Sequence, residues 1–270
     1  MPPLPRQRDA GGRRSGWGTA AGAAAGAAAL AGKAGLLAKG LLLLKGLAVL
    51  GKLKVLGSML LSVVVYALFW GWKFALGFVI LLAVHELGHV VALRAQGVEA
   101  SAPMFIPLVG AFVAVRGQQR SVVDEAWMAL AGPAAGLAGS IACLELAGLN
   151  DSVLLRAIAY SGFLLNLFNL VPVLPLDGGR VAGALHPAIW LGGIGVAAAL
   201  FVWRPSPVLG FVFVLGGIEA VRRWREHRRG EAGAYYAVPA ATRGRIAGAY
   251  ATVALICMWG MHAAYVTHPL

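Results

Sequence analysis

The sequence is poor in charged residues, and poorest in negatively charged ones. Asp, Glu, Lys and Arg make up 13% of its 270 residues, and eleven residues are acidic against 23 that are Lys or Arg. Soluble domains carry about 25% charged residues, which is well above the fraction in this chain. The chain is also 59% hydrophobic, and its mean hydropathy is +0.76. No long stretch is both polar and patterned, which argues against a large soluble module. The composition therefore predicts an integral membrane protein.

Cysteine is equally scarce. The two cysteines, Cys143 and Cys257, lie far apart in the sequence, and both are within apolar segments. This arrangement indicates neither a disulfide framework nor a thiolate metal site. We interpret both as small hydrophobic residues in helix packing.

The formal net charge of +12 does not indicate a nucleic-acid partner. The basic residues cluster at the N-terminus, at Arg116–Arg120 and at Arg222–Arg229, between apolar segments. Such clusters mark the cytoplasmic loops of membrane proteins. They predict a multi-pass protein of the cell membrane with a cytoplasmic N-terminus, and no binding to nucleic acid.

Residues 1–57 form a basic segment that is rich in Ala, Gly, Leu and Lys. The first part resembles a disordered basic arm. Lysines interrupt the apolar part at residues 20–57, which argues against a signal peptide and against a lipid-spanning helix of about 20 apolar residues. We expect a surface helix or a loose cationic segment that is attracted to the anionic lipids of the bilayer.

From residue 58 onward, apolar segments alternate with short polar connections. The segment Val98–Gln119 differs from the others because it contains two prolines and ends in alternating β-branched residues. It predicts a re-entrant hairpin of extended strands, which a membrane tolerates only where protein or a cavity surrounds it. A polar turn is expected at Asp177–Arg180. The predicted helical spans are Ser58–Trp70, Phe74–Leu93, Ala126–Leu149, Val153–Leu176, Ala188–Trp203, Pro207–Ala220 and Ile246–Val266.

The span Phe74–Leu93 contains the motif His85-Glu86-Leu87-Gly88-His89. Two histidines with this spacing lie on one face of a helix, about 6 Å apart along its axis, so both imidazoles can reach one ion. Glu86 can accept a proton from an attacking water. An ionisable residue at membrane depth costs about 2.5–3.5 kcal/mol, which marks it as functional. The motif predicts a zinc site within the membrane.

A hydrolytic zinc site needs three protein ligands and one open position. Most acidic residues of the chain lie in polar loops or near the ends of apolar segments. Asp177 instead ends a long apolar segment, between two prolines and two glycines that allow the chain to bend its carboxylate back into the bundle. Asp177 is therefore the preferred third ligand, and Glu99 is the alternative.

The His85–His89 motif and the stretch Asn169-Leu170-Val171-Pro172-Val173-Leu174-Pro175-Leu176-Asp177-Gly178-Gly179-Arg180 together resemble the site-2 protease family of intramembrane zinc metalloproteases. The small residues of Ala131–Gly136 are also similar to the family pattern. The resemblance covers residues 58–180, and the paired motifs make it specific. It implies hydrolysis of a peptide bond in or near a transmembrane segment of a membrane protein, as in regulated intramembrane proteolysis.

The resemblance also implies roles for individual residues. One zinc ion per chain would be held by His85, His89 and Asp177, and Glu86 would be the catalytic base. Asn169 corresponds to the family asparagine that holds the substrate carbonyl or its oxyanion.

Other uses of the asparagines and glycines remain open. Asn169 could instead form an interhelical hydrogen bond, which asparagine often supplies in membranes. We assign Asn166 to packing, and we assign the glycines of Ala131–Gly136 to close approach of helix backbones.

The expected fold is an all-α multi-pass membrane protein with a three-helix catalytic core, a re-entrant β-hairpin and peripheral transmembrane helices. The core occupies residues 58–180, and residues 181–270 form C-terminal helices with a basic cytoplasmic loop. The orientation puts His89 and Asp177 in the cytoplasmic half of the membrane. The expected partner is a transmembrane protein substrate.

Two other functional classes are compatible with the motifs. A non-catalytic zinc-binding membrane chaperone or pseudoprotease would need only the metal ligands, so the presence of Glu86 argues against it. A metal transporter should have polar residues on several spans, whereas the last three spans are almost wholly apolar.

Overall fold

The computed structural model describes residues 53–116, 121–186, 188–203, 205–229, 233 and 235–265. Most of the basic segment predicted at residues 1–57 lies outside this part of the chain. The helices are α1 (Leu53–Trp70), α2 (Trp72–Ala95), α3 (Val122–Leu149), α4 (Val153–Asn169), α5 (Asp177–Leu185), α6 (Ala188–Trp203), α7 (Pro207–Arg228) and α8 (Ala240–Ala264). The strands are β1 (Glu99–Ala100), β2 (Met104–Ile106), β3 (Gly110–Phe112) and β4 (Val115–Arg116).

Four of the described helices, α1, α2, α3 and α8, are long and apolar enough to cross a membrane. The 24 residues of α2 extend about 36 Å at about 1.5 Å per residue, against a hydrocarbon layer of about 30 Å. Helices α4 and α6 are apolar but shorter. These helices confirm the predicted multi-pass helical membrane fold.

Helices α2, α3 and α4 form the centre of the bundle, and each of them contacts the other two. Gly88 of α2 faces the backbone of α3, where an added Cβ would be 2.3 Å from the carbonyl oxygen of Ala131. Gly162 of α4 faces both other helices, where an added Cβ would be 2.4 Å from the hydroxyl oxygen of Ser140 in α3 and 2.6 Å from Leu81 in α2. Small residues therefore allow the three backbones to approach closely. This is the three-helix core expected from the sequence.

The segment between α2 and α3 is a β-hairpin, which confirms the extended structure predicted within Val98–Gln119. Strand β2 pairs antiparallel with β3, and β1 pairs antiparallel with β4. The backbone amide of Leu108, near the tip, donates a hydrogen bond to the hydroxyl of Tyr66 in α1 at 3.2 Å. The hairpin is thus attached to the first described helix.

The span predicted at Val153–Leu176 is wrong in its second part. Helix α4 ends at Asn169, and residues 170–176 form a loop. The two prolines of this loop lack an amide donor and cannot continue a helix. The turn predicted at Asp177–Arg180 is also wrong, because Asp177 is the first residue of α5. An acidic residue in the first turn interacts favourably with the helix dipole.

Three other helices extend at least five residues beyond their predicted limits. The additional residues include arginines or lysines, whose long side chains can reach polar surroundings from a helix end. Helix α1 is described from Leu53 instead of Ser58, α7 continues to Arg228 instead of Ala220, and α8 begins at Ala240 instead of Ile246.

A buried carboxylate connects four segments of the chain. Glu125 in the first turn of α3 has a side chain that is 3% exposed. It accepts hydrogen bonds from Arg180 of α5 at 3.0 Å, from two nitrogens of Arg223 in α7 at 3.0 Å each, and from the hydroxyl of Tyr235 at 2.7 Å. A buried charge is tolerated when it is paired and hydrogen-bonded in this way. We call these four residues the Glu125 cluster.

The Glu125 cluster can be tested by removing one partner. We expect Arg223→Ala to lower the free energy of unfolding by about 3 kcal/mol, because Glu125 stays buried after losing two hydrogen bonds. The matched control is Arg222→Ala. Arg222 and Arg223 both pair with Glu219, but the side chain of Arg222 is 62% exposed. The control should change stability by less than about 1 kcal/mol. Denaturant unfolding in detergent measures both variants, and equal losses would contradict a stabilising role for the cluster.

Candidate metal centre

Two histidines of α2 face the centre of the helix bundle. His85 and His89 are one helical turn apart, and their Nε2 atoms lie 3.2 Å from each other. Both residues are buried, with exposed fractions of 2% and 7%. The i to i+4 spacing places both rings on one helical face, so they can contact a common ion.

Asp177 reaches both histidines from the start of α5. Its Oδ2 atom is 3.2 Å from Nε2 of His85 and 3.3 Å from Nε2 of His89. Among the described residues, these three side chains form a group of donors that could hold a metal ion. Glu99, the alternative ligand, lies instead in β1, is exposed and pairs across the strands with Arg116.

Hydrogen bonds determine which nitrogen of each ring faces Asp177. Nδ1 of His85 is 2.8 Å from Oδ1 of Asn166, and Nδ1 of His89 is 2.9 Å from the carbonyl oxygen of Met128. Both partners are acceptors, so each Nδ1 carries a hydrogen and each Nε2 can offer its lone pair. The centre therefore presents two nitrogen lone pairs and a carboxylate oxygen, a donor set suited to a cation.

The separations of the three donor atoms fit zinc. Ligand atoms about 2.0–2.1 Å from a tetrahedral zinc ion lie about 3.3–3.4 Å from one another. The separations between the donor atoms are 3.2, 3.2 and 3.3 Å. Two imidazoles and one carboxylate are also a known ligand set of hydrolytic zinc sites, with the fourth position left open.

Asn166 of α4, which the sequence analysis assigned to packing, contacts the centre directly. It is 1% exposed and its amide oxygen accepts the hydrogen of His85 Nδ1. The assignment to packing alone is therefore wrong. An asparagine in an apolar helix has several possible uses, and only the position of α4 beside α2 selects this one. The available signal was its i−3 spacing from Asn169, which places both residues on a similar face of α4.

Asn169 lies on the wall of the cavity that opens at the centre. Its Nδ2 donates a hydrogen bond to the carbonyl oxygen of Leu165 at 3.1 Å, within its own helix. This bond is not the interhelical one considered as its alternative use. Contact between Asn169 and a substrate stays a prediction.

Two glycines of α3 provide space for the side chains of the centre. A Cβ added at Gly132 would lie 2.2 Å from Nε2 of His89, and a Cβ at Gly136 would lie 2.2 Å from Oδ1 of Asn166. From the sequence alone, these glycines are explained by helix packing. They also accommodate a histidine of the centre and the asparagine that contacts the other histidine.

A cavity of about 600 Å³ opens beside the three donor atoms. Its polar wall includes Glu86, Asn169 and Arg180, and Glu86 is 5% exposed. Most of the remaining wall is apolar and belongs to the hairpin, the loop before Asp177 and the first half of α7. The arrangement can place a polar group near the donor atoms while apolar groups fill the rest of the space.

Three curated proteins similar to this chain carry zinc metalloprotease in their names. Rip3 of Mycobacterium tuberculosis is 34% identical over 155 residues, which are 53% of this chain and 38% of Rip3. MJ0392 of Methanocaldococcus jannaschii is 28% identical over 130 residues, 46% of this chain and 37% of that protein. The protein sll0528 of Synechocystis sp. is 33% identical over 112 residues, 39% of this chain and 28% of its own length.

The chain spans less than two fifths of the length of these relatives. Residues 73–150 match the family described as Peptidase family M50. This range contains His85, Glu86 and His89 together with the hairpin and α3, whereas Asp177 lies beyond it. Residues 73–150 are therefore similar to a domain of peptidase family M50, the site-2 protease family that the two motifs of the chain also resemble.

Proposed function

We propose that this chain is an intramembrane zinc metalloprotease that hydrolyses a peptide bond in or near a transmembrane segment of a membrane protein. The observation that carries the proposal is that His85 and His89, in a helix of membrane-spanning length, converge with Asp177 of α5 at zinc-ligand separations, next to Glu86. The M50 match and the names of the similar proteins support the same activity.

The ligands and the base have separate tasks in this reaction. His85, His89 and Asp177 would hold one zinc ion per chain. When bound, zinc polarises the scissile carbonyl and makes an attacking water more acidic. Glu86, which lies on the cavity wall beside His85, accepts the proton of that water and later delivers it to the leaving amine. Asn169, on the same wall, would donate to the substrate carbonyl or its oxyanion.

A helical substrate must be unwound before hydrolysis, because its own turns shield each peptide bond. Unpaired backbone groups in hydrocarbon cost several kcal/mol, so the enzyme has to supply partners. In the hairpin, Ser101 donates its amide to the carbonyl of Ala114 at 2.8 Å. Val113 precedes Ala114 in the short connection between β3 and β4. Since backbone groups alternate in direction along an extended chain, we expect those of Val113 to point away from Ser101. We propose that an unwound substrate pairs with this open edge, which lines the cavity.

The proposed orientation follows from the position of the centre along α2. His89 is six residues before the end of α2 at Ala95, about 9 Å along the axis. The end of the bundle at which α2 ends and α3 begins also carries Arg94 and the Glu125 cluster with its two arginines. Excess basic residues mark the cytoplasmic side, so we assign the centre to the cytoplasmic half of the membrane. The proposed attraction of the N-terminal segment to anionic lipids concerns residues that lie mostly outside the described part.

The assignment of the catalytic base predicts the effect of Glu86→Gln. The variant should keep zinc and remain folded, because Glu86 is not a metal ligand. Its rate of hydrolysis should fall about 10²–10⁴-fold, because glutamine cannot accept the proton. Zinc content and cleavage of a model transmembrane substrate measure the two properties. Normal turnover by the variant would exclude Glu86 as the base, and zinc binding without turnover by the native chain would favour the pseudoprotease alternative.

The ligand assignment predicts the effect of Asp177→Asn. A neutral amide is a poor replacement for the carboxylate, so zinc retention should fall at least about tenfold. Zinc content after mild chelation, measured by atomic absorption, reports the loss. Glu99→Gln is the control and should retain zinc. Stoichiometric zinc in Asp177→Asn would show that another carboxylate is the ligand, and loss of zinc in the control would identify Glu99.

The strand-pairing proposal predicts the effect of Val113→Pro. Proline removes one amide donor at the open edge but lies away from the metal ligands. The variant should retain zinc and lose most cleavage of a helical membrane substrate, with a much smaller loss on a short, already extended peptide. Val113→Ala keeps the backbone donor and is the matched control. Equal losses on both substrates, or no loss on either, would leave the hairpin as a plug of the bundle.

A further inference from the structure

The fully buried Asn166 makes two hydrogen bonds that determine the orientation of its amide. Its Nδ2 donates to the carbonyl oxygen of Gly162 at 2.7 Å, one turn earlier in α4. A carbonyl oxygen can only accept, so the nitrogen of the amide must be on that side and Oδ1 must face His85. The 2.8 Å contact between Oδ1 and Nδ1 of His85 therefore has the imidazole as its donor.

This direction of donation has a consequence at the other side of the ring. With its hydrogen on Nδ1, His85 directs the lone pair of Nε2 toward Oδ2 of Asp177, 3.2 Å away. The opposite tautomer would place a hydrogen on Nε2 and block that nitrogen as a ligand. The amide oxygen of Asn166 therefore selects the tautomer that can bind a metal.

The position of the Asn166 side chain is itself restricted by α3. Gly136 faces it, and a Cβ at that residue would overlap Oδ1 at 2.2 Å. The amide thus fills the space that the missing side chain leaves between α3 and α4. The packing of α3 against α4 therefore restricts the amide that orients the ring of His85.

The two histidines of the centre differ in what orients them. Nδ1 of His89 is bound by the main-chain carbonyl of Met128, which is present whatever residue occupies that position. Nδ1 of His85 is bound by a side chain, which one substitution can remove. His85 is therefore the ligand whose orientation depends on a single further residue.

We propose that Asn166 is a positioning residue of the metal centre, which fixes the ring orientation and the tautomer of His85 and so raises the affinity for zinc. The proposal rests on the proposed zinc site. Partners that hydrogen-bond to the far nitrogen of a ligand histidine typically contribute about 10–100-fold in metal affinity. Asn166 would act through His85, without touching the ion or the substrate.

The test compares zinc affinities of the full-length protein in detergent, measured by competition with a chromogenic chelator. Asn166→Leu has a similar volume but no acceptor, and it should weaken zinc binding about 10–100-fold. Asn166→Asp keeps an oxygen for His85 and should bind zinc within a few fold of the native chain. If that aspartate is protonated, it can still donate to the Gly162 carbonyl.

Ser140→Ala is the matched control for disturbance of the same helix contact. Ser140 is fully buried between α3 and α4, and its hydroxyl donates to the Gly136 carbonyl in its own helix at 2.8 Å. This variant removes a buried polar group without changing the partner of His85, so zinc affinity should be unchanged. Thermal unfolding of the zinc-free proteins reports separately on stability.

Each outcome decides the proposal. A loss of zinc affinity in Asn166→Leu that Asn166→Asp restores, with unchanged affinity in Ser140→Ala, supports it. Native affinity in Asn166→Leu, equal losses in the Leu and Asp variants, or the same loss in Ser140→Ala overturns it. If Asn166→Leu fails to fold, Asn166→Ala replaces it in the comparison with Asp. Lack of zinc binding by the native chain would instead reject the proposed function.

Discussion

Close packing of α3 against α2 and α4 sets the distances within the metal centre. The imidazole of His89 occupies the space that a side chain at Gly132 would fill, and the amide of Asn166 occupies the space beside Gly136. A larger residue at either glycine would displace the His89 ring or the Asn166 amide by more than a metal site tolerates, since ligand distances vary by only about 0.2 Å. The small residues of α3 therefore decide whether groups from three helices can converge.

Helix α5 is held at two points that serve different purposes. Asp177 at its first residue faces the two histidines, and Arg180 one turn later donates to the buried Glu125. Because both contacts lie within one turn, the Glu125 cluster limits how far the Asp177 carboxylate can move. The cluster also includes Arg223, so α7, whose first half forms part of the cavity wall, is attached to the same carboxylate. The Glu125 cluster therefore contributes both to the stability of the fold and to the geometry of the metal centre.

The cavity combines a small polar region with a mostly apolar wall. Its polar groups, including Glu86 and Asn169, lie close to the donor atoms, whereas the apolar wall comes largely from the hairpin and α7. This distribution suits the proposed substrate, a transmembrane segment that is apolar in its side chains but needs partners for its backbone when it is unwound. In this proposal, the backbone of the hairpin and the polar side chains of the cavity wall together supply those hydrogen-bond partners. Apolar contacts would then hold the segment while the polar region acts on one peptide bond.

The sequence by itself determined the class of fold and the local part of the centre. Hydrophobic segment lengths predicted a multi-pass helical protein, and the i to i+4 spacing placed His85 and His89 on one face, because both features depend only on neighbouring residues. Asp177 was predicted through its prolines, its glycines and the family resemblance, but its 3.2 Å approach to His85 depends on how distant helices pack. The role of Asn166 and the start of α5 at Asp177 were missed for the same reason. An asparagine in an apolar helix, or an Asp-Gly pair, has several local uses, and only the tertiary contacts select one.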